Sequence, residues 1–506
     1  MQKTDLSHLV SRQDATVSTI HNPHHVDVSL FANAEVNVER EAVDQLLEFL
    51  KLAGTLDDLN ARRFFGDVHG AIERVVLTPD FHRGSGIPVG TVIDARGFVI
   101  PRAVGNDICC GMRLLVTDLP ADDLEPHWPA IAARLRGLFF QGQRDIPLSP
   151  RQREAMLRDG LRGLAATQGD NAGRGLWADY DVTTELADLD RLATGGAFPT
   201  SDLFGFDDYV RSSGQTDGRD AQIGSIGGGN HFVELQRVDE LLDPDVARRW
   251  GVSKGSLAIM VHSGSVALGH AVGGHYMEEA RSMFPAGLRH PAHGFYVMPT
   301  AGPQAGRAAE YLDAMHNAAN FALANRMFLG MMALRGLRAA TGRTISARLL
   351  YDAPHNLIFA QGERHLHRKG ATPARGPVDP MTWIGEPVII PGSMGASSFL
   401  LAGGGHEPAL CSACHGAGRT MSRGAAMHVA PAIADAALAR LRVVTSVDTT
   451  DPAVRLRRDI LDRHRQRVLE EGPFAYKQIG PVIRTVEEAG VAQGVARLEP
   501  LLTVKG

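Results

Sequence analysis

The feature that most constrains this chain is a set of short segments, far apart in sequence, each offering a metal-ligand side chain and most of them rich in glycine. They are Asn106-Asp107-Ile108-Cys109-Cys110-Gly111-Met112, Gly227-Gly228-Gly229-Asn230-His231-Phe232-Val233-Glu234, Val261-His262-Ser263-Gly264-Ser265, Asp352-Ala353-Pro354-His355-Asn356 (which has no glycine) and Cys414-His415-Gly416-Ala417-Gly418-Arg419. Glycine lets backbone come close to a ligand and lend it N–H donors, as phosphate sites require. A lone histidine in such a place is more often a hydrogen-bonded core residue, but five such segments in one chain weaken that reading jointly. One aspartate, one cysteine and three histidines mix hard and borderline donors. That set suits a transition metal such as Mn2+, Zn2+ or Fe2+ rather than Ca2+. A thiolate can bridge two ions, which admits two-metal phosphoryl transfer.

The 506 residues suffice for one large domain or two to three ordinary ones. A net charge of −5 removes any global basic signature, so nucleic-acid contact has to come from a local patch. No apolar leader precedes a small-residue cleavage site, and no run reaches the roughly 18 apolar residues that span a bilayer. The nearest approach, 321–334, is broken by Asn325 and Arg326. A cytoplasmic protein is therefore expected, and four cysteines are too few for a disulfide framework.

Residues 1–60 read as an N-terminal extension, with helical spacing over 41–52, and 61–506 as the main domain. Short β-branched runs follow at 75–79, 86–93 and 97–105. Residues 122–200 read as mainly helical and polar, 257–262 as a buried strand and 310–337 as a helix. Strands return at 388–391 and 399–401, and an arginine-rich helical tail is expected from Pro452. The mixture does not alternate as βαβ units do, which points to α+β.

Cys411-Ser412-Ala413-Cys414-His415 matches the c-type haem pattern, but no export signal accompanies it. A zinc or redox site there would lack a second C-x-x-C. His21, His24 and His25 read as solvated. The chain has neither a P-loop nor the Lys-x-Asp-Gly of lysine-dependent nucleotidyl-transferring ligases.

Taken together, the segments resemble the RtcB family of RNA-splicing ligases. The resemblance begins at Thr78-Pro79-Asp80-Phe81-His82-Arg83-Gly84 and passes through the segments around Asp107, Asn230 and His262. It continues through His367-Arg368-Lys369-Gly370-Ala371-Thr372 and Pro391-Gly392-Ser393-Met394-Gly395, then from Ser412 to Arg423 and to Lys505-Gly506. It covers about residues 75–506. The fold it implies is a single large catalytic domain of mixed sheets and surrounding helices.

The resemblance implies two Mn2+ ions held by Asp107, Cys110, His231, His262 and His355, with Cys110 bridging, and His415 as the residue that becomes guanylylated. It places GTP against Asn230, His231, Phe232, Val233, Glu234, His355, Asn356, Pro391, Gly392, Ser393, Met394, Ser398, His415, Gly416, Ala417, Gly418, Tyr476 and Lys505. Lys369 and Arg423 fall on residues suited to gripping an RNA phosphate. The implied reaction joins a 3′-phosphate or 2′,3′-cyclic phosphate to a 5′-hydroxyl, in tRNA splicing or RNA repair, by a monomer with RNA and an activating protein as partners. A two-metal RNA phosphohydrolase or cyclic phosphodiesterase and a non-catalytic RNA-binding module are the alternatives. Three positions depart from the family pattern: Val266 stands for an arginine, Cys109 for a glycine and Pro354 for a small residue.

Overall fold

The structure, a computed structural model, describes residues 8–211, 220–291, 294–378 and 383–506. Two large sheets organise it. One has seven strands in the order Val10–Arg12, Val17–Ile20, Val28–Phe31, Ala71–His82, Val89–Arg96, Arg364–Lys369, Asn356–Gln361. All neighbours are antiparallel except Val28–Phe31 and Ala71–His82, which run parallel.

The second sheet runs Ala347–Pro354, Gly111–Pro120, Ser256–Ser263, Phe232–Leu241, Ala492–Val504, Ser398–Gly403, Pro387–Ile390, with Val443–Val444 lying parallel to Ala492–Val504. It curls until Tyr351, on one outer strand, donates to Glu386 beside the other at 2.5 Å. The sheet is therefore nearly a closed barrel, which leaves few unpaired backbone groups at its edges. Mixed sheets with helices around them make the fold α+β, as the sequence indicated.

A helix of 37 residues, Ala305–Thr341, runs through the core and contains the expected 310–337 segment. Phe321, Leu323, Met327 and Phe328 are fully buried on it, but so are Asn317, Asn320, Asn325 and Arg326. These polar side chains bond to loops that pack on the helix; Asn320, for example, accepts from the Phe198 amide at 2.8 Å and donates to the Phe198 carbonyl at 2.8 Å. No helix among the described residues is long and apolar enough to cross a membrane.

The arginine-rich tail differs from expectation. Helices Pro452–Arg455, Arg458–Glu470 and Ile479–Glu488 are present, but the chain then forms a 13-residue strand, Ala492–Val504. Its pattern is obscured because it is paired on both sides, and Pro500 lies beyond its pairing with Ser398–Gly403 and at a register shift against Phe232–Leu241, where a missing N–H is tolerated. The N-terminal segment is built into the molecule. Its three strands extend the seven-stranded sheet, and helices Arg40–Leu50 and Leu52–Ala61 bury Leu46, Phe49, Leu56 and Leu59. His21 and His25 are exposed, and neither joins a metal-binding group of the described residues.

Candidate active site and metal centre

Four neighbouring antiparallel strands of the barrel-like sheet bring their ends to one place. Cys110 precedes Gly111–Pro120, His231 precedes Phe232–Leu241, His262 lies at the end of Ser256–Ser263, and His355 follows Ala347–Pro354. The register pairs Met112 with His262, Phe232 with His262, and Pro354 with Gly111. Strands about 4.8 Å apart thus converge residues separated by up to half the chain.

The donor atoms meet closely. Cys110 Sγ lies 3.2 Å from His231 Nε2 and 3.2 Å from His262 Nε2; His262 Nε2 lies 3.2 Å from His355 Nε2, and His231 Nε2 lies 3.1 Å from Asp107 Oδ2. Two groups of potential ligands result, Asp107–Cys110–His231 and Cys110–His262–His355, each with its atoms within 4.8 Å. Cys110 belongs to both.

The electrostatics fit a cation. His231 Nδ1 is 3.0 Å from the Ile226 carbonyl, so Nδ1 carries the proton and Nε2 presents its lone pair to the cluster. Burial, reinforced by the neighbouring histidines, pushes His262 and His355 well below the usual imidazole range, so both stay neutral with lone pairs to give. Burial and then Asp107 push the Cys110 thiol well up. A carboxylate, a thiol and lone pairs aimed at one another form an unfavourable group alone and a ligand set around metal ions. The residues present therefore fit two ions sharing Cys110.

The buried helix fixes this geometry. Arg326 is fully buried; its NH1 donates to the carbonyls of Cys109 at 2.7 Å and Ser263 at 3.1 Å, and its NH2 pairs with Asp352 at 2.8 Å. Asn325 Nδ2 donates to the Gly264 carbonyl at 3.2 Å and Ser263 Oγ at 3.1 Å. One helical turn thus ties the Cys110 loop, the His262 loop and the strand before His355 together. Cys109 has φ +55°, a left-handed conformation that favours glycine, and its side chain turns into the core away from the ligands.

His415 follows the short strand Ser412–Cys414, which pairs with Ala371–Pro373. Its ring centroid is 4.6 Å from that of His355 and 6.4 Å from that of His262. His415 Nδ1 lies 2.7 Å from Asp80 Oδ2, while Thr78 Oγ1 donates to Asp80 Oδ1 at 2.5 Å. Asp80 is fully buried; burial would raise it, but His415 and Thr78 hold it below the usual carboxylate range. The carboxylate keeps the proton on Nδ1 and leaves Nε2 with a free lone pair. Gly418 has φ +78°, and a Cβ there would strike the Asp80 carbonyl at 2.3 Å, so close backbone approach secures the pair. Asp80 lies in the Thr78–Gly84 segment, where nothing local signals the distant histidine it meets.

A cavity of about 1780 Å3 opens in front of His415. It exceeds the roughly 300–1,000 Å3 of small-molecule pockets. Asn230, Phe232, Glu234, Asn356, Pro391, Gly392, Ser393, Met394, Gly416, Ala417, Gly418, Tyr476 and Lys505 line it, as do Lys369 and Arg423. Strand alternation turns Val233 into the core between Phe232 and Glu234. His231 lies within the ligand cluster, and Ser398 lies behind the wall, accepting from the Gly392 amide at 3.2 Å.

Glu234 accepts from Thr503 at 2.5 Å and Gln236 at 2.6 Å, and burial pushes it up to about 7. Lys505 Nζ donates to the His231 carbonyl at 2.8 Å. Tyr476 hydrogen-bonds Glu471, which also pairs with Arg419 at 2.9 Å and Arg423 at 2.8 Å. Residues 34–41 of the N-terminal segment line the same cavity, a contribution nothing in their composition indicated. Cys411 and Cys414 belong to neither ligand group among the described residues.

Comparison with known proteins identifies the family. The family described as "tRNA-splicing ligase RtcB" matches residues 65–506. An "RNA-splicing ligase RtcB" of Mycobacterium tuberculosis is 35% identical over 464 residues, covering 86% of this chain and 98% of that protein. A "tRNA-splicing ligase RtcB" of Thermococcus kodakarensis is 33% identical over 503 residues, 92% of this chain and 94% of that protein. A third, from Nanoarchaeum equitans, is 31% identical over 93% of this chain and 95% of its own length. Matched by the family model over residues 65–506 and more than 30% identical to these relatives along nearly its whole length, the chain belongs to the RtcB family.

Proposed function

We propose that this enzyme is a GTP- and Mn2+-dependent RNA ligase that joins RNA 3′-phosphate or 2′,3′-cyclic phosphate ends to 5′-hydroxyl ends through a histidine–GMP intermediate. Its relatives' names support RNA ligation. The observation that carries the finer reading is the Asp80–His415 pair, 2.7 Å long, beside the ligand cluster. A histidine that keeps its proton on Nδ1 offers Nε2 as a nucleophile in a ligase, whereas a two-metal hydrolase would use the same imidazole only to move a proton, so retention of GMP on His415 separates the two.

Asp107, Cys110, His231, His262 and His355 would hold two ions, which when bound neutralise phosphate charge and stabilise the leaving group. His415 Nε2 attacks the α-phosphorus of GTP. The Nε2–P bond forms as the bond to pyrophosphate breaks, and Asp80 stabilises the positive charge that develops on the ring. The RNA 3′-phosphate then takes GMP from His415, and the 5′-hydroxyl displaces GMP to form the phosphodiester. A cyclic phosphate is first opened by water. Glu234 and Tyr476 sit where they can meet a nucleobase, and Glu234 retains lone pairs for guanine N–H groups beyond those used by Thr503 and Gln236.

Incubation with α-labelled GTP and Mn2+ tests the reading. The native chain should retain acid-labile GMP, and His415→Ala should retain none while keeping the native melting profile. A labelled His415→Ala protein, or an unlabelled native one, would overturn the proposal.

A further inference from the structure

Among the described residues, five arginines line the cavity: Arg40, Arg83, Arg102, Arg419 and Arg423. Four are paired with carboxylates, Arg40 with Asp44, Arg83 with Glu41, and both Arg419 and Arg423 with Glu471. Arg102 is different. No described carboxylate pairs with it, and its Nε is buried without a hydrogen-bond partner among the described residues. Its guanidinium carbon stands 5.9 Å from the Phe295 ring, which supports one face and donates no counter-charge.

A second cation stands beside it. Lys369 Nζ donates to the Ser85 carbonyl at 2.5 Å and packs against Gly86 and Gly105. Burial draws Lys369 down to about 8, with Asp107 opposing and the positive charge of Arg102 adding to the pull. Both basic groups thus lie on the wall that carries Asp107, five residues beyond Arg102. This wall also holds His270 and Met277, from the helix Val266–Ser282 that packs against the Pro101–Val104 turn. The nucleotide-facing group, Glu234, Lys505, Glu471 and Tyr476, forms a separate network with its own charge balance.

Two like charges side by side, one with a buried unpaired donor, are costly without an anion between them. A guanidinium fork and an ammonium are the donors that phosphate oxygens take best. We propose that Arg102 adds a guanidinium to the phosphate grip that the resemblance assigns to Lys369, and that the two hold a backbone phosphate of the RNA beside the metal centre, next to its reacting end. The inference rests on the RNA-ligase reading. Arg102 thereby supplies a guanidinium on the wall formed with the helix whose first residue, Val266, stands where the family pattern has arginine. Each phosphate contact releases condensed counterions, so the subsite leaves a mark on the salt dependence of binding.

The test measures equilibrium binding of a fluorescent single-stranded RNA bearing a 3′-phosphate to the full Mn2+-loaded chain, as a function of KCl. Arg102→Ala should weaken binding about ten- to hundredfold and flatten the slope of log K against log salt by about 0.7. Arg102→Gln keeps the aliphatic stem over Phe295 and should behave the same way, which separates lost charge from lost packing. Native affinity and slope in both variants would overturn the subsite. Weakened GTP binding with unchanged RNA binding would overturn it too, because the phosphate held would then be the nucleotide's. Absence of GMP attachment in the native chain would instead sink the ligase reading and leave the binding result standing.

Discussion

Asp80 and His415, 335 residues apart in sequence, meet through a 2.7 Å hydrogen bond from His415 Nδ1 to Asp80 Oδ2, and that contact decides which ring nitrogen faces the cavity. Asp80→Asn keeps the shape but allows the amide to donate to Nδ1, which favours the wrong tautomer. By analogy with other carboxylate-held histidines, GMP attachment should slow by roughly 10²–10⁴-fold. Single-turnover labelling with GTP measures it, and a native rate in Asp80→Asn would remove Asp80 from the chemistry.

Cys110 and Cys109 are neighbours with opposite fates. Cys110→Ala removes the atom common to both ligand groups, so bound manganese, counted by elemental analysis, should fall from two per chain. Cys109→Gly should keep the metal. It relieves a left-handed backbone at φ +55°, worth about 1–2 kcal/mol, and gives up a small buried side chain worth a similar amount. Loss of metal in Cys109→Gly with retention in Cys110→Ala would reverse the assignment.

Arg326 and Asp352 form a fully buried ion pair at 2.8 Å behind the metal loops. Arg326→Met leaves the buried carboxylate only the longer Arg113 contact and should cost about 3–5 kcal/mol in urea unfolding. Adding Asp352→Leu should recover part of that loss, although Arg113, which also pairs with Asp352, then loses a partner. A double variant no more stable than Arg326→Met would show that the pair matters through backbone tethering instead.

Glu234 should make GTP binding depend on pH. Burial raises it to about 7, and only the ionised form offers both oxygens wholly as acceptors. Affinity should therefore rise as pH increases through about 7. Stability runs the other way: the folded-state value lies above the unfolded one, so this group's contribution is complete below the unfolded value near 4.5 and is lost as pH rises through about 7. Calorimetric GTP titration at pH 6 and pH 8 should show the affinity change in the native chain and its loss in Glu234→Gln. A flat native profile would rule Glu234 out as the group responsible.

Val266 opens the helix Val266–Ser282 with φ +46°, an uncommon state for a β-branched residue. Val266→Arg introduces a phosphate-binding fork and should tighten generic RNA about ten- to hundredfold. End joining of unstructured RNA is the readout. No gain would mean that the valine does not limit RNA capture here.

The sequence made the candidate ligands and the candidate histidine legible, because ligand types and glycines are local facts. The segments around Asp107, His231, His262, His355 and His415 were legible one by one, as was the long helix that became Ala305–Thr341. The tertiary structure decided what no local pattern contains. It set which ligands share Cys110, because that follows from strand order, and which nitrogen of His415 is free, because that follows from a distant carboxylate. It placed Asn325 and Arg326, which looked like interruptions of an apolar helix, as the anchors of the metal loops. It also turned the end of the expected helical tail into the central strand Ala492–Val504, where pairing on both sides outweighs intrinsic preference. Side-chain type is written residue by residue; burial, charge balance and proton position arise only when distant segments share one low-dielectric space.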